Sequence, residues 1–314
     1  MTYHLFGNLI TSRGIAANNR GETEGNCTTL PKVFWGDKLH VSVSAEAIRW
    51  AIRYYWQVME IPVNRQWLEE EQDIDLVLAK EKLMYDPKRF IDDDVMGYMD
   101  AKPGKGGETV KRRGALEVTR AVSLQSAEKI EITFNSRSGK KPKKGGKNQD
   151  NQNADNQRAR TSIYSTETIT TRFQYGLAIT PERLIEPKRI LDVLQAVTKL
   201  ANVGGNHARF LFDFSPESAI FRWSHHPVPQ ILHCFEQPEA DILTAPRLCQ
   251  LIECEEIPAE DIWIFGGYAF TEEAEELAEM GANIYPSIRK GVKELITQIA
   301  EDLGIDIDNN VAAS

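Results

Sequence analysis

Residues Val41–Gln57, VSVSAEAIRWAIRYYWQ, join a short β-branched run to an amphipathic stretch. Ser42 or Ser44 can cap that stretch, because a serine oxygen accepts a free amide of the first helical turn. At helical spacing Ala45, Ile48, Ala51, Ile52 and Tyr55 share one face, which predicts a helix with that face buried. Glu46, Arg49, Arg53 and Gln57 share the opposite face. Arg49 and Arg53 stand one turn apart, where like charges repel by roughly 0.2–0.5 kcal/mol. An anion docked between them would relieve that repulsion; a solvated face with Glu46 beside Arg49 is the plainer reading.

Working outward, Tyr3–Ile10 (YHLFGNLI) alternates as a strand, and Thr11–Asp37 reads as a long Gly-, Asn- and Thr-rich loop or hairpin. Trp67–Met84 (WLEEEQDIDLVLAKEKLM) is a second amphipathic stretch, acidic early and basic late, the order a helix dipole favours. Asp92, Asp93 and Asp94 offer hard oxygen donors, although such a run is more often a solvated or capping segment. Lys102–Arg113 is a basic connection whose Arg112 and Arg113 lead into a strand over Leu116–Leu124. Between strands at Lys129–Phe134 and Ser162–Ile179 lies NSRSGKKPKKGGKNQDNQNADNQRAR, Asn135–Arg160. That composition lacks the apolar content to offset ordering entropy, so it predicts a flexible basic hairpin tip that orders on a polyanion. Pro187–Asn202 predicts a helix ended by Gly204–Gly205, where, with Asn206 alongside, RNA can also approach the backbone. Strands come next at Arg209–Phe214 and Ala219–Trp223, then a strand at Ile262–Ala269 and helices at Thr271–Met280 and Pro286–Leu303.

Composition narrows the function classes. Net charge is −9, yet residues 1–165 carry 26 Lys/Arg against 22 Asp/Glu, while residues 166–314 carry 11 against 24. A basic N-terminal face is therefore compatible with an acidic whole. No apolar run approaches the ~18–20 residues that span a bilayer, and the opening MTYHLFGNLI reads as a strand rather than a signal peptide. Cys27, Cys234, Cys249 and Cys254 show no C-x-x-C pairing, which points to a reducing cytoplasm and away from a disulfide framework or a zinc site. No nucleophile elbow, zincin, phosphate-loop or dinucleotide motif occurs, so no catalysis, metal or cofactor is expected.

The segment V-S-x-x-x-I-R-x-x-x-R at Val43–Arg53, the acidic IDDDVMGYM at Ile91–Met99, GALEVTRAVSL at Gly114–Leu124 and ANVGGNHARFLFDFSP at Ala201–Pro216 succeed Tyr3–Ile10 in a telling order. The chain resembles CRISPR-associated family seven, DevR type, of the RAMP superfamily, which supplies the backbone subunit of type I Cascade surveillance complexes. The resemblance covers about the first two-thirds of the chain.

That resemblance implies an α+β fold, an RNA-recognition-motif or ferredoxin-like βαββαβ core, with a palm over residues 1–225. Insertions would enter at 11–40, 60–113 and 135–161, the last a thumb-like hairpin, and a C-terminal α/β lobe would occupy 226–314. It implies a non-catalytic subunit that binds CRISPR guide RNA, polymerises with copies of itself and other Cascade subunits, and leaves target DNA to base pairing. Arg49 and Arg53 would hold phosphates, helped by Ser44, Arg13, Arg20, Lys32, Arg112 and Arg113. Arg137, Lys140, Lys141, Arg158 and Arg160 would serve from the thumb, and Gly204, Gly205 and Asn206 from the turn. Two other readings are a metal-dependent ribonuclease using Asp92–Asp94 or an N-terminal loop acid, and a protein scaffold that touches no nucleic acid.

Overall fold

The computed structural model describes residues 1–17, 23–71, 73–81, 85–100, 110–137, 162–200, 203, 211–239 and 242–307. Its centre is the strand His4–Thr11, which alternates as its sequence predicts: Leu5 and Leu9 enter one core, Phe6 and Ile10 another. It pairs antiparallel with Phe173–Ile179 on one side and Pro216–Ser224 on the other. Leu116–Val118 and Ala121–Ser126 then pair with Phe173–Ile179. Numbered by sequence, these four positions stand in the order 4-1-3-2, all antiparallel, which is the ferredoxin-like arrangement expected.

Two crossover helices cover one face. Helix α1, Ala45–Val58, buries Ile48, Ala51, Ile52 and Trp56. The short helix α2 spans Ile91–Val95, and α3, Arg189–Val197, buries Ile190, Val193, Leu194 and Val197 beside α1. The Trp56 indole N–H reaches the Asp192 carbonyl at 3.2 Å, which ties α1 to α3. The sheet continues past both core edges, to Lys38–Val43 and Lys32–Trp35 on one side and to Ile262–Gly266 and Asn283–Tyr285 on the other. On the C-terminal side α4 (Pro246–Glu253) and α5 (Glu272–Glu279) cover the second face, whereas α6 (Ile288–Leu303) lies with α1 and α3. Gly291 lets α6 settle on the sheet, since a Cβ there would meet the Phe265 ring.

Several expectations change in the structure. Trp67–Met84 is not a helix: Arg65–Leu68 and Asp73–Leu76 form a hairpin, with a 3-10 turn after it at Val77–Glu81. Tertiary bonds override the helical pattern there. The Gln57 amide donates to the Trp67 carbonyl (2.9 Å) and accepts from its N–H (2.8 Å), and Trp67 packs edge-on against Trp50. The last core strand begins at Pro216 rather than near 208. Pro216 opposes Thr11 at a register shift, where its missing N–H interrupts no ladder. Thr11–Asp37 holds short strands, among them Gly14–Ala17 against Thr168–Thr171. The predicted long hairpin is present at its base, where Glu131–Arg137 pairs with Ser162–Thr168.

Candidate nucleic-acid interface

Ser44 caps α1: its hydroxyl accepts from the Ala47 amide at 3.2 Å. The cap fixes the start of the helix and thereby the direction in which Arg49 and Arg53 project. Both reach toward α2 and the turn after it. Arg49 Nη2 donates to the Met96 carbonyl at 2.7 Å, and Arg53 Nη2 approaches Met96 Sδ at 3.2 Å. Arg53 Nε lies 3.3 Å from Asp92 Oδ2, with its side chain only 12% exposed. Burial, then the Arg65 charge, lowers the Arg53 guanidinium to about 10. The same two causes lower Arg49.

The acidic run against which these arginines rest is fully buried, not a solvated segment. Asp92 accepts from the Asn64 amide (2.7 Å) and from Arg65 through its amide and Nε (3.1 and 3.0 Å). Asp93 accepts from the Asn64 side chain and the Asp86 amide, both at 2.9 Å. Burial foremost, with the Asp92 charge adding, raises its carboxyl to about 6. Asp94 takes Arg112, Arg189 (2.7 Å) and the amides of Ile185 (3.0 Å) and Glu186 (3.3 Å). Burying a carboxylate is tolerable only with such partners. Among the described residues no group of His, Cys, Asp or Glu is arranged to hold a metal.

The acidic run therefore acts as a clasp that holds the 60–113 insertion to α1 and to the start of α3. Four guanidiniums, those of Arg53, Arg65, Arg112 and Arg189, pair with its three carboxylates, and Arg49 bonds the Met96 carbonyl just beyond it. Arg65, paired with Asp92 and Asp93, also donates to the Gly97 carbonyl at 3.1 Å, and Arg49 lies near the same turn through its bond to the Met96 carbonyl. Gly97 adopts a φ of 68°, and a Cβ there would strike the backbone at Arg112–Gly114.

The other predicted residues fall elsewhere. Arg113 is exposed and pairs with Glu117. Lys32 pairs with Glu167 at 2.7 Å, beside the base of the long hairpin. Arg13 lines a 500 Å³ polar cavity with Lys129, Glu131 and Thr170, at that same base. Arg137 ends the hairpin strand opposite Ser162. Arg20, Lys140, Lys141, Arg158, Arg160, Gly204, Gly205 and Asn206 lie outside the described residues.

The structure thus brings Arg49, Arg53 and Arg112 together, and sets Arg13 and Lys32 at the hairpin base as a second group. Arg65 and Arg189 are members of the first group that sequence reading missed. The edge hairpin adds another surprise: Phe34 is 73% exposed and Trp35 43%. Their place beside Gly36–Asp37, a turn signal, was the available clue.

The family profile described as "CRISPR-associated negative auto-regulator DevR/Csa2" matches residues 15–238. The chain belongs to the DevR/Csa2 family. The chain is similar to the Myxococcus xanthus (strain DK1622) "CRISPR-associated protein Cas7/Cst2/DevR", at 36% identity over 310 residues, 94% of this chain and 98% of that protein. The DevR/Csa2 match begins after the first strand and ends before α4.

Two solved chains share the fold. One, from a "CRISPR RNA-guided surveillance complex", superposes with a TM-score of 0.52 at 12% identity, over 94% of this chain and 99% of its own length. The other, from a "CRISPR RNA-guided surveillance complex, pre-nicking", reaches 0.56 at 11% identity, over 94% and 100%. At such identities the likeness is one of fold, extending past the family profile into the C-terminal helices.

Proposed function

We propose that this DevR/Csa2 chain is a backbone subunit of a CRISPR surveillance complex: it binds guide RNA and oligomerises along it with further subunits, in the cytoplasm. Target DNA would then be read by base pairing to the guide. Family membership, shown over residues 15–238, carries this reading, and the guanidiniums along α1 and α2 supply chemistry for it. Phosphate placed at the Gly97 turn would meet Arg49 and Arg65 without having to displace the Asp94 pairs. Arg13, Lys32 and the basic 137–160 stretch would track the strand onward. A subunit of this kind holds a backbone and performs no chemistry. A ribonuclease working through Asp92–Asp94 would need free carboxylates there, and those are occupied by arginines and amides.

The test is the salt dependence of guide-RNA binding. For a single strand, each lost phosphate contact flattens the log–log slope by roughly 0.7. Arg49→Gln and Arg13→Gln should each do so, while a urea midpoint close to wild type certifies the fold. Wild-type binding with a slope near zero would sink the proposal. Magnesium-dependent cutting of the guide, lost in Asp93→Asn but kept in Arg49→Gln, would move the reading to the nuclease.

A further inference from the structure

A groove of about 290 Å³ opens between the end of α3 and the first half of α6, beside the start of the last core strand at Pro216. Its floor is apolar, made by Ile288, Val292 and Ile296, and its rim carries Lys199, Arg289 and Lys293. With Lys290 these cations are four of the eleven basic residues in the acidic stretch 166–314. Two of them crowd each other: burial, then the Arg289 charge, lowers the Lys199 ammonium. An apolar floor inside a cationic rim suits an apolar group flanked by carboxylates.

The same chain presents such a group. Phe270 closes the 3-10 turn Gly267–Phe270 with 74% of its surface exposed. The exposed acids Glu272, Glu275, Glu276 and Glu279 come directly after it on α5. A braced turn holds the ring out. Tyr268 donates from its amide to Ser218 Oγ (2.9 Å) and from its hydroxyl to Glu273 (2.8 Å), and the Thr271 hydroxyl donates to the Tyr268 carbonyl (2.8 Å). Groove and ring share one end of the sheet, because the chain leaves the sheet for this turn at Gly266, where a Cβ would lie 3.1 Å from the Ile288 side chain. Phe270 does not line the groove of its own chain.

We propose that this end of the chain is a self-complementary contact for a second copy, in which each Phe270 ring enters the other copy's groove and the α5 acids face its rim cations. A surface that holds both a knob and its hole meets itself across a two-fold axis. The groove has room for a phenyl ring, since a cavity of about 150 Å³ admits benzene. Charge selects the same place. Two chains of net charge −9 repel at long range, and here a basic island opposes an acidic helix. Phosphate alone would meet the rim and leave both the floor and the exposed ring unmatched. A two-fold pair is closed, so it is distinct from open-ended assembly along guide RNA and does not rest on the RNA-binding reading.

The experiment is sedimentation equilibrium on the full chain, freed of nucleic acid by nuclease and a high-salt wash. It should show a monomer–dimer equilibrium that stops at two copies. Phe270→Ala should raise the dissociation constant by about a hundredfold or more, because each substitution acts twice in a two-fold pair. Arg289→Glu/Lys293→Glu should raise it by at least about tenfold. An equimolar mixture of these two variants should regain part of the lost association, since the mixed pair keeps one intact ring in one intact groove. Phe34→Ala removes an equally exposed ring from the edge hairpin and should change the constant by less than about twofold. Urea midpoints close to wild type certify that the variants fold. A chain that stays monomeric up to about 1 mM would overturn the proposal. So would equal loss in Phe34→Ala and Phe270→Ala, or a mixture no better associated than its components. None of these residues belongs to the arginine cluster, so such a failure leaves the RNA reading standing, and a guide-RNA salt slope near zero would leave the pair standing.

Discussion

Replacing Asp94 by alanine tests whether the buried acidic run is a structural clasp. Its carboxylate has no solvent exposure and serves two guanidiniums, those of Arg112 and Arg189, whose side chains are 23% and 11% exposed. It also holds the Ile185 and Glu186 amides. Removing one partner of a buried pair costs about 3–5 kcal/mol, because the opposite charge is left desolvated. Arg112 and Arg189 each retain a carbonyl, at Arg183 (2.8 Å) and Pro87 (2.6 Å), which places the loss at the low end of that range. Asp94→Asn still accepts from the amides and should cost about half as much. Arg113 pairs with Glu117 in the same region, but at 77% and 54% exposure, so Arg113→Ala should cost under about 0.5 kcal/mol. Urea unfolding at constant slope reads all three as midpoint shifts. If Asp94→Ala and Arg113→Ala move the midpoint equally, the clasp does not exist as described.

Other perturbations address single contacts. Gly97→Ala forces a side chain into a φ of 68° and against the Arg112 backbone, and should destabilise by about 2–4 kcal/mol in thermal unfolding. Asp192, raised to about 6 chiefly by burial, should give a pH signature. The native state keeps a proton that the unfolded chain releases near pH ~4. Its contribution is therefore full below that pH and is lost as pH rises toward 6. Measured against Asp192→Asn, wild-type stability should fall across that window and level off above it; a flat difference would contradict the assignment. Glu167→Ala should destabilise more than Lys32→Ala, because its carboxylate also holds the Leu30 amide at 2.8 Å. Urea midpoints of the two variants decide it.

What the sequence made legible was local. The face of α1, the Ser44 cap, the alternation of His4–Thr11 and the Thr271 cap of α5 all arise from neighbours within a turn or two. What it hid was set at a distance. Three consecutive aspartates look solvated until Arg65, Arg112 and Arg189 arrive from 27, 18 and 95 residues away. The Trp67 segment has a helical pattern, yet its backbone is claimed by Gln57. Helix α4 escaped notice because Pro246–Glu253 is short, with only Leu248 and Ile252 fully buried. Arg49 and Arg53 were found by spacing, but their half-buried setting depends on α2, which no periodicity predicts.

The first strand also sets the order in which the protein can be made. His4–Thr11 leaves the ribosome before either neighbour exists, for Leu5 must wait for Ile179 and then for Trp223. At about 5–20 residues per second, the first pairing is delayed by roughly nine to thirty-five seconds. Throughout that interval an apolar LFGNLI segment stands with both edges unsatisfied. Nascent chains of this fold are thus exposed to aggregation until most of their length is synthesised, and holdase chaperones that shield this strand should govern the yield.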